Sequence, residues 1–524
     1  MRFGRRAAFA ALLLGSACSA PEHRSAAPPQ PAATPPKHAV AATATPCRVG
    51  DADGSRLWLD ISADASSCDM QRFVLNNFLY LAADDAGGHP RLMSYAPWYE
   101  AIPQDGSAPV WQDGYKPLST MALRKTAHEG QPGDSYALID VDRHRVGYDI
   151  RVNRTFVDYL ATSGTYRAEV LQTLANTYAQ DPSTGGVWLP SGSAAQEGAI
   201  TLKTSWRKFP HGCPADRMHC ERDSDGIWRG LVGLHMVQKT PTLGEMTWAS
   251  FEHVANAPDC APGGTRPIAP APDDPAQPGK TLPGGWNLFD YATYRRLGGD
   301  GERCAVPDGA YQYTVASDGT TLQNQTCGAP SQRPQCNTDP RLSAIDKSLV
   351  EGYHRINVCR TIAQPRCTGI GGPDDDVACL NEDYARHLPA GVASKWRYYF
   401  LVGSEYVAGT APGVGCFRYD DGVVLTTTPP RTRFPSTCNN DMSTPKLVRA
   451  GTRALANTTM ETWMQDGTCI VSSPGSTPLM GRDCMACHTP STNPPGWPFG
   501  MGDMSFLFDR VPMNNARKKN GAGP

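Results

Sequence analysis

Near its C-terminal end the chain reads GRDCMACHTP, in which Cys484-Met485-Ala486-Cys487-His488 spells C-x-x-C-H. Two cysteines at this spacing can each form a thioether to one vinyl group of a haem, and the adjacent histidine then lies under the iron as its proximal ligand. Met485 and Ala486 are spacer. With 17 Cys and 12 His in 524 residues, the motif arises by chance about 0.01 times in a chain of this composition. A zinc site needs two more ligands at matched spacing, and no second C-x-x-C exists. A thioredoxin-like pair wants a helix after it, but TPSTNPPGWP follows. A plain disulfide is the remaining alternative. The motif predicts one covalent haem c held by Cys484 and Cys487, with His488 on the iron.

Only 36 residues follow His488. A small cytochrome c has its motif near the start and wraps the ring with what comes after. Here the sequence upstream must do most of the packing.

Distal groups come from two places. Met501 and Met504 follow the motif, and a methionine ligand would raise the potential and suit electron transfer. Their structural alternative is gap-filling in a core. His235 in GLVGLHMVQKT and His253 in TWASFEHVANAP lie on segments that alternate like strands. Pairing position 239 with 247 puts the two imidazoles diagonally on one face, as distal ligand, hydrogen-bond partner or acid/base groups. Glu252 then points the other way, towards Lys239 or solvent. Gly233 and Met236 beside His235 would let a flat ring approach. The competing reading is a histidine satisfied inside a core. The other histidines carry less signal, and Asp374-Asp375-Asp376 reads as a solvated turn before a calcium site.

The N-terminus fixes the compartment. MRFGRRAAFAALLLGSACSA has a basic start, a short apolar run and small residues, the pattern of a bacterial export signal. LLLGSAC resembles a lipobox with Cys18 as the lipidated residue, and a plain cleaved signal is the alternative. Both predict the periplasm or the outer-membrane surface, with membrane contact only through a lipid on Cys18. Lys plus Arg is 49 and Asp plus Glu 51, which gives no hint of nucleic acid.

The positioning elements form a loop-rich α+β body. Residues 1–19 read as the signal and 20–46 as a disordered Ala/Pro tether. Residues 47–260 read as a mixed domain with helices around RFVLNNFLYLAA and FVDYLATSGTYRAEVLQTLANTYAQ, then an antiparallel sheet from EGAITLKTSWRKF, GLVGLHMVQKT and EMTWASFEHVANAP. Residues 261–285 are a Pro/Gly linker and 286–380 a Cys-rich loop region. In residues 381–524, ASKWRYYFLVGSEYV and ALANTTMETWMQ read as helices ahead of the haem segment.

GLVGLHMVQKTP, WASFEHVANAP, LANTTMETWMQ, CMACH and DMSFLF together resemble a group of exported bacterial proteins of the cytochrome c family. Those proteins carry one C-terminal C-x-x-C-H after an N-T-T-M-E-T helix and end in a D-F-S-x-L-L-like segment. The likeness is patchy over about residues 70–510, and Met504 and Phe508 replace the usual Phe and Leu. It implies haem and export but no substrate. Three functions follow: electron transfer to a periplasmic redox partner; a haem-dependent oxidoreductase with an open distal face acting on a small molecule; or a disulfide-rich surface lipoprotein without haem.

Setting aside Cys18, Cys484 and Cys487 leaves an even 14 cysteines, enough for seven disulfides in an oxidising compartment, with Cys47/Cys68 and Cys213/Cys220 as close pairs. Non-reducing mass mapping of the mature protein should find at most one free thiol outside the C-x-x-C-H pair. Several free thiols would contradict this reading.

Overall fold

The capping and register of a few segments set the architecture. In the computed structural model the described residues are 45–127, 138, 140–142, 144–180, 186–243, 246–260, 269–291 without 278, 313–315, 322–324, 358–408 without 361–362, 417–419, 447–452, 455–462, 484, 508 and 511. The signal, the tether up to residue 44, Cys487, His488, Met501 and Met504 lie outside them. No helix among the described residues is long and apolar enough to cross a membrane.

The strands are β1 (Ala96–Pro97), β2 (Gly147–Val152), β3 (Ile200–Phe209), β4 (Cys220–Arg222), β5 (Trp228–Gln238), β6 (Thr247–His253), β7 (Tyr313–Val315), β8 (Leu322–Asn324), β9 (Tyr399–Ala408), β10 (Phe417–Tyr419) and β11 (Leu447–Gly451). The main sheet runs β1-β2-β3-β5-β6-β9-β11-β10, with β4 paired to β5. Its pairs are antiparallel except β10 with β11. The fold is α+β and loop-rich, as expected, and β9 and β11 join the same sheet as β2 to β6.

Helix α1 (Ser67–Ala82) starts at a capping box, Ser66 accepting from the Asp69 N–H and Asp69 returning to Ser66. Its apolar residues Phe73, Val74, Phe78 and Leu81 are buried. With helix α6 (Pro373–Arg386; α2 to α5 are Trp98–Ala101, Thr120–Ala127, Arg154–Ser163 and Ala168–Gln180) α1 covers one sheet face. Leu202, Leu234, Met236, Ala249, Phe251 and Leu401 line that face, and Phe78 stacks on Phe251 with centroids 4.2 Å apart. Among the described residues four disulfides staple the body: the expected Cys47–Cys68 and Cys213–Cys220, together with Cys260–Cys359 and Cys367–Cys379.

Two segments read as helices are not. ASKWRYYFLVGSEYV is a short 3-10 turn, Ser394–Tyr398, followed by strand β9. A short apolar run rich in aromatic and β-branched residues suits a buried strand equally well, and pairing to β6 and β11 decides it. Residues 458–462 form turns, because Asn457 and Thr459 hydrogen-bond their own backbone or the sheet. Asp374, Asp375 and Asp376 lie in the first turn of α6, where Asp375 accepts from the Thr368 and Gly371 amides.

The strand register also differs from expectation. Gln238, not Lys239, pairs with Thr247, so His235 faces Ser250 and Gly233 faces Glu252. One residue of slip reverses every side chain. His253 therefore lies on the α1 face, opposite to His235. Its Nε2 donates to Arg217 O at 3.0 Å and its Nδ1 accepts from the Ala255 N–H at 3.1 Å. Both nitrogens are engaged, so His253 is a core histidine and the paired-imidazole arrangement does not form.

Burial pushes His253 down from 6.5 to about 4, against the raising effect of its bond to Arg217 O. The unfolded chain takes up a proton below about pH 6.5 that the folded one refuses until about pH 4. The stabilisation is thus whole above that window and lost on acidification, by on the order of 3 kcal/mol. Urea titrations of His253→Gln should show a flatter dependence across it; an unchanged slope would contradict the assignment.

Candidate functional site

The face away from α1 is organised in rows across the strands. The register aligns Val152, Thr201, Val237, Trp248 and Glu405 in the first. Ile150, Lys203, His235, Ser250 and Gly403 form the second, and Tyr148, Ser205, Gly233 and Glu252 the third.

The first row is apolar over most of its length. Val152, Val237 and Trp248 pack with Phe156, Phe508 and Val511, and the half-buried Cys484 packs against this group. The Cys484 N–H donates to Glu405 Oε2 at 2.8 Å. The first residue of the C-x-x-C-H motif is thereby held at the end of the first row.

His235 occupies the centre of the second row. Its Nε2 lies 3.3 Å from Glu461 Oε2, an ion-pair distance without hydrogen-bond alignment, and the two side chains are 15% and 18% exposed. Burial alone would raise Glu461, but His235, Lys203 and the Asn457 N–H, which donates to Oε2 at 2.9 Å, hold it below the usual carboxylate range. Spacings of about 4.8 Å per strand and about 3.3 Å per residue put the Cα atoms of His235 and Glu405 about 12 Å apart.

Glu461 comes from the segment 455–462, which the third row holds down. Asn457 Nδ2 donates to Ser250 Oγ at 3.2 Å and to Phe251 O at 2.9 Å. Tyr148 Oη donates to Thr459 O at 2.6 Å, and Ser205 and Thr459 hydroxyls meet at 2.6 Å. Glu252, fully buried, accepts from the Thr458 N–H at 3.1 Å and from the Thr458 hydroxyl. Arg360 Nη2 pairs with Glu252 at 2.9 Å, and Nη1 pairs with Asp259 at 2.9 Å. Burial alone would lower Arg360, but the two carboxylates raise it further. Glu252 thus points into this face, not to Lys239 or solvent.

A Cβ at Gly233 would collide with Thr459 Oγ1. The space beside His235 that Gly233 seemed to offer a flat ring is filled by the 455–462 segment, and Met236 is in the core of the opposite face. Sequence reasoning missed Glu461, because a helix over this segment gave no reason to bring it to His235. The N-T-T run, whose side chains compete for backbone groups, was the available signal. It also passed over His219, which is buried on the α1 side against Glu221, with Nε2 to Oε1 at 3.0 Å. Among the described residues, the close groups of His, Cys, Asp and Glu are two disulfides beside Asp375 or Asp376.

No protein-family profile matches this chain, and no curated protein or solved structure does. Yet GLVGLHMVQ, TWASFEH, ANTTMET, Cys484 and Phe508, which are far apart in sequence, meet on one sheet face.

Removing Arg360 strands the Glu252 carboxylate. Arg360→Met should cost about 3–5 kcal/mol in denaturant unfolding, and adding Glu252→Gln should recover part of it. A loss below about 1 kcal/mol would show that Glu252 is not the support described.

Proposed function

We propose that the chain is an exported mono-haem c-type cytochrome, with the haem held by Cys484, Cys487 and His488 against the apolar first row. The observation that carries this reading is the anchoring of Cys484 at Glu405, beside Val237 and Trp248 and one row from His235. The donor set fits: two thiols and an imidazole at attachment spacing, with an apolar wall for the ring. When bound, the group supplies one-electron chemistry. Glu405 positions the motif, Glu461 turns the His235 ring, and the 455–462 segment excludes water from the third row.

Glu461 engages His235, and Met501 or Met504 would complete the donor set around the group. Electrons would pass to or from a periplasmic redox protein. Export, and a lipid on Cys18 that leaves the Ala/Pro segment as a tether, belong to the same proposal. The second reading is a haem-dependent oxidoreductase acting on a small molecule. It is favoured by the His235–Glu461 pair, an acid/base arrangement that electron transfer alone does not require.

Protein matured in a host competent for haem c should keep its colour after acid-acetone extraction, and Cys487→Ala should weaken that retention. The reduced protein should refuse carbon monoxide, and Met501→Ala or Met504→Ala should admit it. Rapid uptake by the unaltered protein would favour the oxidoreductase. A colourless, folded protein would end the haem reading and leave the disulfide-rich surface lipoprotein.

A further inference from the structure

We propose that Tyr115 is a redox-active tyrosine: an outer-sphere one-electron oxidant at the surface takes an electron from its ring while its hydroxyl proton passes to Glu221. This stands apart from the haem reading and uses none of its residues.

The site lies at the edge of the core on the α1 side. Tyr115 is steadied by its neighbour, since the Lys116 N–H donates to Met93 O at 2.7 Å. Glu221 is the middle residue of β4, and Arg229 across from it on β5 is committed to Asp223. Tyr115 Oη donates to Glu221 Oε2 at 2.8 Å, and His219 Nε2 lies 3.0 Å from Oε1. The buried His219 ring stacks on Trp396 with centroids 5.2 Å apart and meets Trp206 edge-on at 5.9 Å. Phenol, carboxylate and imidazole thus form a line from a partly exposed ring into the core.

The protonation states suit the step. Burial alone would raise Glu221, but His219, then Tyr115 and His89, hold it below the usual carboxylate range. Burial pushes the His219 ring down against the raising effect of Glu221, with Lys395 and Asp84 opposing each other around it. Burial and then Glu221 push the Tyr115 phenol up. At neutral pH the line is therefore phenol, carboxylate and neutral imidazole.

Taking an electron from a phenol leaves a cation, which is costly in a partly buried site unless the proton leaves too. Tyr148, Tyr384 and Tyr399 donate to the carbonyl oxygens of Thr459, Trp396 and Leu231, which do not hold a proton. Tyr115 donates to a carboxylate, which does. His89 covers one face of its ring, with centroids 3.9 Å apart and planes inclined by 23°, and so shields a radical from coupling.

The step balances. One electron moves from the Tyr115 ring to the oxidant, the Oη–H bond breaks, and the proton binds Glu221 Oε2 to give the neutral acid. Tyr115 is left as a neutral phenoxyl radical. One electron from a donor restores the phenol and draws the proton back.

Flash-generated tris(bipyridyl)ruthenium(III), applied to the full mature protein carrying ring-deuterated tyrosine and followed by freeze-quench electron paramagnetic resonance, tests this. The unaltered protein should give a phenoxyl signal that Tyr115→Phe largely removes. Its rate of formation should stay flat from neutral pH down to the carboxylate range and ignore buffer concentration, because the base is internal. Glu221→Gln should slow it about tenfold or more and make it climb with pH and buffer, which a merely structural Glu221 would not do. A signal undiminished in Tyr115→Phe, or an unchanged rate and pH profile in Glu221→Gln, overturns the proposal. Where Glu221→Gln does not fold, the unaltered protein decides: a rate that climbs with pH or buffer overturns it.

Discussion

A fully buried carboxylate, Glu252, is the constraint on which the site depends. Left unpaired in the sheet it would be very costly, so it must be met by cations and hydrogen-bond donors. Those partners come from nearby Asn256, just after β6, and from two distant stretches: Arg360 beside the Cys260–Cys359 disulfide and Thr458 in the segment that carries Glu461. Satisfying one charge therefore pins Arg360, beside Cys359, and the 455–462 segment to the same place on the sheet. Such an arrangement is weak as a source of net stability.

The two faces divide the work. The α1 side is a conventional core, with Phe78 stacked on Phe251 and His253 locked neutral between Arg217 O and the Ala255 N–H. The other side collects chemistry: Lys203, His235 and Glu461 beside an apolar row that ends at Glu405 and Cys484. A large body around one short motif is what such a division requires. The sheet is wide because it presents a wall and a polar margin at once, and because β9, far along the chain, must reach Glu405 into that wall.

Much of this was legible in the sequence. The apolar spacing of Phe73, Val74, Phe78 and Leu81 predicts α1, and alternation predicts β3, β5 and β6. The pairs Cys47–Cys68 and Cys213–Cys220 followed from closeness. The register did not, since hydrophobic residues occupy both faces of β5 and either phase looks acceptable. One residue of error moved His253 beside His235 and Glu252 away from it. The strand β9 was hidden by a run whose composition fits helix or strand, and the turns at 458–462 by the apolar run ALANTTMETWMQ, which reads as a helix. Only long-range partners distinguish these cases, and local propensity cannot supply them.

The central proposal is that a haem iron would sit over the face bearing His235. Relaxation of methyl resonances by ferric iron measures this directly, with the diamagnetic ferrous protein as reference. Broadening should be strongest for Val237 and Ile150 on the first two rows, and weak for Val74 and Leu81 on α1, across the sheet. Equal broadening on the two sides, or a maximum at α1, would contradict it.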